Sequence, residues 1–264
     1  MNKKQIKRNQ QGFTLAELLV SSTVFLLLAG AAFSLLATSS QRFKTDSEVL
    51  TSFQEARLGI DQISRDIEDG GFPPRNHFNS AVTPVTSYAA SPFAWGPGYP
   101  APCTVGGTCT TSPTGFDLIV ETDYDGTGVK WIRYQLPAGT TTLLRAVVPK
   151  SNGDPIVDTS AAGALLPYIQ NVMNNASGSQ IAAIQAVYPA VFPGGNPVPV
   201  FTYNNFDPPT SALVGGCSAI ATTPCNIRDV DVVLIVQSLD RDAKTSKLRL
   251  VELHGLAHRL NPNQ

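Results

Sequence analysis

Glu17 is an acid set inside an apolar run, five positions after Gly12 and four after Phe13. The run extends from Phe13 to Ala37 and holds no other ionisable side chain. A carboxylate in a membrane segment costs roughly 2.5–3.5 kcal/mol near the bilayer centre, less toward the edge, and so calls for a partner. Cleavage of the backbone after Gly12 would create that partner, a positive amine on Phe13. Glycine suits such a cut, because its bare backbone fits a narrow protease cleft that a larger side chain would block. The position of the cut is informative. A secretory signal peptide is cleaved after its apolar region and loses it. A cut between Gly12 and Phe13 leaves the apolar segment on the product.

The other chemistry-bearing groups are weaker. Asp123 and Asp125 in ETDYDGTG could offer oxygens to calcium, but the glutamate that completes an EF-hand loop at its twelfth position is missing. A hairpin turn accounts for the same residues. His254 and His258 have the i, i+4 spacing of a helical metal pair, yet LRLVELHGLAHRL alternates as a strand does. Four cysteines form two close pairs, Cys103 with Cys109 and Cys217 with Cys225. Neither pair has the C-x2-4-C spacing of a zinc site. An even count on an exported segment reads as disulfides. Four cysteines allow three connectivities, of which pairing within each close pair is favoured. The chain has no G-x-S-x-G elbow and no phosphate-binding G-x-x-x-x-G-K-[ST] loop. No catalytic constellation and no cofactor are expected.

The elements that must position these residues follow from the hydropathy pattern. Lys3, Lys4, Lys7 and Arg8 precede the apolar run, with no acid before Glu17. By the positive-inside rule they stay in the cytoplasm and everything beyond the run is exported. Residues 13–37 are long enough to span a bilayer as a helix. Small residues within them, among them Ser21, Ala29 and Gly30, permit close approach of other helices. Residues 38–71 continue the helix in amphipathic form, with a stripe of Phe43, Leu50, Phe53, Ala56, Ile60, Ile63 and Ile67. Gly70-Gly71 and Pro73-Pro74 end it. A helix over 13–69 would be about 85 Å long at ~1.5 Å per residue.

Residues 72–264 form the exported head, with 20 prolines and 21 glycines in the whole chain marking many turns. Residues 72–115 read as loops, and the aromatic segment 88–103 is either an exposed binding loop or a lid on the sheet. Strands are expected within 116–136, as a hairpin about Asp125-Gly126, and over 141–149, 197–206, 229–239 and 247–260. Residues 155–187 read ambiguously, with Ala161–Met173 as a candidate short helix. The fold class is α+β, a long helix packed on an antiparallel sheet. The head carries 11 basic and 12 acidic side chains. That near-neutral balance gives no electrostatic footprint for nucleic acid.

The run QGFTLAELL resembles the processing site shared by type IV pilins, type II secretion pseudopilins and competence pseudopilins. The resemblance implies that prepilin peptidase cuts between Gly12 and Phe13 and that Phe13 is N-methylated. It implies that Glu17 is the fifth-position glutamate used in assembly. Residues 1–12 would then be the leader. A looser likeness covers most of the chain: ARLGIDQISRDIEDGGF, the DYDGTG hairpin and the VFTYNNF and DVDVVLIV strands are similar to large minor pilins of the PilW type and J-type minor pseudopilins. That likeness implies a non-enzymatic subunit that primes pilus assembly at the fibre tip. Its partners would be other minor pilins, the major pilin and an inner-membrane assembly platform. Its location would be the inner membrane, with the head in the periplasm, and then the fibre. A minor pseudopilin of type II secretion and a DNA-uptake pseudopilin are the alternatives. Ser34 stands where many major pilins have proline, so a helix break there is not implied.

Overall fold

The computed structural model describes residues 14–79, 81–208, 220–241 and 247–261. Helix α1 runs unbroken from Leu15 to Glu68, 54 residues, or about 81 Å at ~1.5 Å per residue. No proline interrupts it. It ends where Asp69 N bonds back to Arg65 O (2.9 Å) and Gly71 takes a positive φ of 87°.

The head holds two antiparallel sheets rather than the single sheet expected. One has the order β1 (Phe93–Ala94), β2 (Asp117–Thr122), β3 (Lys130–Gln135), β4 (Leu143–Pro149) and β5 (Leu166–Ile169). The other has β6 (Phe201–Phe206), β7 (Ile227–Arg241) and β8 (Leu248–His258). Ile60, Ile63 and Ile67 of the helix join Leu118, Val120 and Ile132 of the first sheet and Val230, Val232 and Leu234 of the second in one buried core. The helix is thus the wedge on which both sheets close. Two glycines permit the approach. A Cβ on Gly59 would lie 2.1 Å from Ile169 Cδ1 of β5, and one on Gly255 of β8 would lie 2.4 Å from Ile60 Cγ2.

The expected stripe needs correction in its first part. Phe43 and Leu50 are 77% and 60% exposed. The buried side of this stretch carries Thr45 and Val49 instead. At 3.6 residues per turn, Phe43 and Leu50 lie roughly 120–140° around the helix from the centre of the buried face. The expected stripe had joined two different faces.

The expected helix over Ala161–Met173 is not formed. Gly163 sits at φ 81° and β5 begins at Leu166. The helices flank that segment: α2 (Pro155–Thr159), capped by Asp154, and α3 (Gly178–Gln185), opened by a capping box of Ser177 and Gln180.

Of the aromatic segment 88–103, residues 88–96 are folded in as a lid, while Pro97, Gly98 and Pro100–Pro102 stay exposed. Phe93 and Trp95 are buried, and β1 pairs Phe93 with Val120. A buried ion pair of Glu121 and Lys150 fastens it. Ala90 N and the Tyr99 hydroxyl both donate to the Glu121 carboxylate (2.6 Å each), and Lys150 Nζ donates to Tyr88 O (2.9 Å). Burial, with Glu121 beside it, pushes the Tyr99 phenol well above its ordinary range, so it remains a donor.

Candidate processing and assembly site at the helix N-terminus

Thr14 and Glu17 close the first turn of α1 as a capping box. Glu17 N donates to Thr14 Oγ1 (3.3 Å), and Thr14 N and Thr14 Oγ1 both donate to Glu17 Oε2 (3.0 Å each). The T-x-x-E spacing of Thr14 and Glu17 is the sequence signal of this box. The carboxylate therefore has a local task besides any pairing with a neighbour. A helix N-terminus carries about half a positive charge. An amine on Phe13 would add a full one beside it, and a carboxylate in the first turn offsets both. Gly12 and Phe13 lie outside the described residues.

From here the helix stands alone. Leu15, Leu18, Phe25, Leu27 and Phe33 are 62–79% exposed, and the first helix residue buried by the head is Thr45. A shallow apolar groove along Ala16, Glu17, Val20, Ser21, Val24 and Leu28 follows one face. The span is long and apolar enough to cross a membrane.

Over residues 7–33 the sequence matches the prokaryotic N-terminal methylation motif. The chain carries the type IV pilin-like prepilin motif. The motif belongs to structural, in general non-enzymatic, pilin-type proteins. It supports a type IV pilin-like or pseudopilin protein, anchored by one membrane pass and processed for assembly into pilus-like fibres. No curated protein and no solved structure matches the chain.

The remaining sequence candidates take structural places in the head. Asp125 Oδ1 accepts from Thr127 N (3.2 Å) and Thr127 Oγ1 (2.8 Å), while its Oδ2 meets the Lys130 ammonium. Asp123 Oδ1 accepts from Gly128 N (3.2 Å). Both acids serve the β2–β3 turn, and the Lys130 ammonium, followed by Thr127, lowers the Asp125 carboxyl to about 2. His254 and His258 lie on strand β8, four residues or about 13 Å apart at ~3.3 Å per residue. His258 Nδ1 meets Asp229 Oδ1 at 2.5 Å and His254 Nε2 meets Glu252 Oε1 at 3.1 Å, so the two rings serve different partners. Cys103 is joined to Cys109 beneath Trp95. Cys225 is also disulfide-bonded, and Cys217 lies outside the described residues. Among the described residues no three metal-ligating side chains converge.

Proposed function

We propose that this chain is a minor type IV pilin, a non-enzymatic subunit that primes pilus assembly and sits at the fibre tip. The observation that carries the reading is the methylation motif running without a break into a bare apolar helix that the head grips only from Thr45 onward. About 13 large apolar side chains at ~1.5–3 kcal/mol each put roughly 20–40 kcal/mol against exposing that helix to water. It leaves a bilayer only by passing into another apolar setting, such as a bundle of like helices. The leader is removed after Gly12 by prepilin peptidase, and the amine of Phe13 is methylated. Glu17 then pairs with that amine in its own or a neighbouring subunit and sets the axial register. The long, loop-rich head favours a pilus over a secretion pseudopilus.

Glu17 substitutions separate its two tasks. Glu17→Ala removes both the cap and the charge, whereas glutamine at this position can still close a capping box. Both variants are expected to insert in the membrane. Glu17→Gln is expected to incorporate into fibres as poorly as Glu17→Ala, scored by fibre counts and immunoblots of sheared fibres. Wild-type incorporation of Glu17→Gln would reduce the acid to a helix cap. Loss of protein secretion, with surface fibres intact, in a strain lacking the chain would assign it to a secretion pseudopilus.

A further inference from the structure

A cleft of about 480 Å³ lies between helix α1 and the β5 edge of the first sheet. That size falls within the roughly 300–1,000 Å³ of small-molecule sites. Leu58, Asp61, Gln62 and Arg65 form the helix wall, and their i, i+3, i+4, i+7 spacing puts all four on one face. Tyr124, Arg145 of β4 and Tyr168 of β5 form the other wall.

The second wall is held in place from behind. Arg145 Nε donates to the Tyr134 hydroxyl (3.0 Å), and its Nη2 donates to Asp66 Oδ2 (2.9 Å). The guanidinium lies 5.6 Å from the Tyr134 ring centre and 5.7 Å from that of Tyr168. Asp66 is buried and spends its other oxygen on Gln62 Nε2 (2.8 Å). Arg145 itself is 22% exposed. Its Nη1 makes no hydrogen bond among the described residues. Asp61 and Arg65 stand four residues apart and exposed. Among the described residues their side chains are paired neither with each other nor with a third group, and the hydroxyls of Tyr124 and Tyr168 have no hydrogen-bond partner.

The unspent groups define what would fit. Asp61 can only accept hydrogen bonds, Arg65 and Arg145 can only donate, and tyrosine hydroxyls do both. The charges cancel, with Asp61 against Arg65 and the buried Asp66 against Arg145. An anion would meet Asp61, and a cation would meet Arg65. A sugar avoids both conflicts. It is uncharged, each of its hydroxyls donates and accepts, and the C–H bonds on one face of a pyranose pack on the flat apolar surface of an aromatic ring.

We propose that this cleft binds a neutral oligosaccharide. The rings of Tyr124 and Tyr168 carry the sugar, while Asp61, Arg65 and Arg145 Nη1 fix its hydroxyls. The site belongs to the head and does not depend on which fibre the helix enters.

The test uses the full mature chain in phosphatidylcholine nanodiscs, mixed in turn with maltotriose, cellotriose and chitotriose. Trigalacturonate is the charged comparison. Saturation-transfer NMR reads contact on the sugar protons. Transfer to at least one neutral trisaccharide is expected, with affinity reduced at least threefold by Arg65→Gln and at least tenfold by Tyr168→Ala. Arg65 lies on the exposed helix surface, so its variant decides the matter even if Tyr168→Ala misfolds. Transfer to none of the three neutral sugars would overturn the proposal. So would tighter binding of trigalacturonate, which marks an anion site, or affinity that Arg65→Gln leaves unchanged, which places the sugar elsewhere. Absence of transfer together with poor entry of Arg65→Gln into fibres would assign the cleft to a neighbouring subunit instead.

Discussion

Gly255→Ala tests whether the helix lies on β8 as described. The added methyl would stand 2.4 Å from Ile60 Cγ2, against a normal carbon–carbon separation of about 3.5–4.0 Å. Ile60 cannot turn aside easily, because a β-branched side chain in a helix holds one χ1 rotamer. The helix or the strand must retreat by about 1 Å, and overpacking of this kind costs roughly 1–3 kcal/mol. Alanine recovers about 0.5–1 kcal/mol by restricting the unfolded chain. The net expectation is a loss of about 0.5–2 kcal/mol. For a head of 193 residues that corresponds to a fall in Tm of roughly 1–8 °C. Trp95 and Trp131 are both buried in the head, so intrinsic fluorescence of the detergent-solubilised chain follows its unfolding. Gly178→Ala, where a Cβ meets nothing within 4 Å, is the control and is expected to leave Tm within experimental error or to raise it. Ile60→Leu removes the branch that collides and is expected to restore part of the loss in the double variant, a coupling of at least about 0.5 kcal/mol. A Gly255→Ala chain as stable as the wild type would show that the helix and β8 are not in contact at this level.

Other outcomes follow from the same geometry. Lys150→Met leaves Glu121 charged and unpaired in the interior and is expected to cost about 3–5 kcal/mol, read as a lower denaturation midpoint with a red-shifted tryptophan emission; wild-type behaviour would deny the clamp on the lid. Asp125 titrates below the ordinary aspartate value of 3.8, at about 2. Its contribution to the β2–β3 turn is therefore present above about pH 4 and lost as pH falls through about 2. A carboxyl NMR titration with its midpoint near 3.8 would remove the Lys130 contact. Gly12→Val is expected to retain the leader, seen as a heavier intact mass, and normal maturation of that variant would count against cleavage at this bond.

The helix and most strands were legible because their signals are local and repeated. The apolar run and the absence of proline gave α1, and alternation about Asp125-Gly126 gave β2 and β3. The late strands β7 and β8 carried the same alternation. The order of two sheets was not legible, since register between distant strands leaves no trace in one sequence. In the segment 155–187, composition pointed to Ala161–Met173, whereas the decisive signals were the start motifs Asp154-Pro155 and Ser177-x-x-Gln180. The lid was ambiguous because aromatic, glycine-rich sequence suits both exposure and burial. What settled it was Lys150, a buried cation 29 residues from Glu121. At the N-terminus the acid and the glycine are plain in the sequence, and the cap is legible only from the T-x-x-E spacing of Thr14 and Glu17.

The direct test of the account is the intact mass and N-terminal sequence of the protein isolated from its native membrane or fibres. The account predicts a chain that starts at Phe13, carries one methyl group on that amine and keeps the whole apolar helix. A natural product that still holds residues 1–12, or one trimmed beyond Ala37, would contradict it.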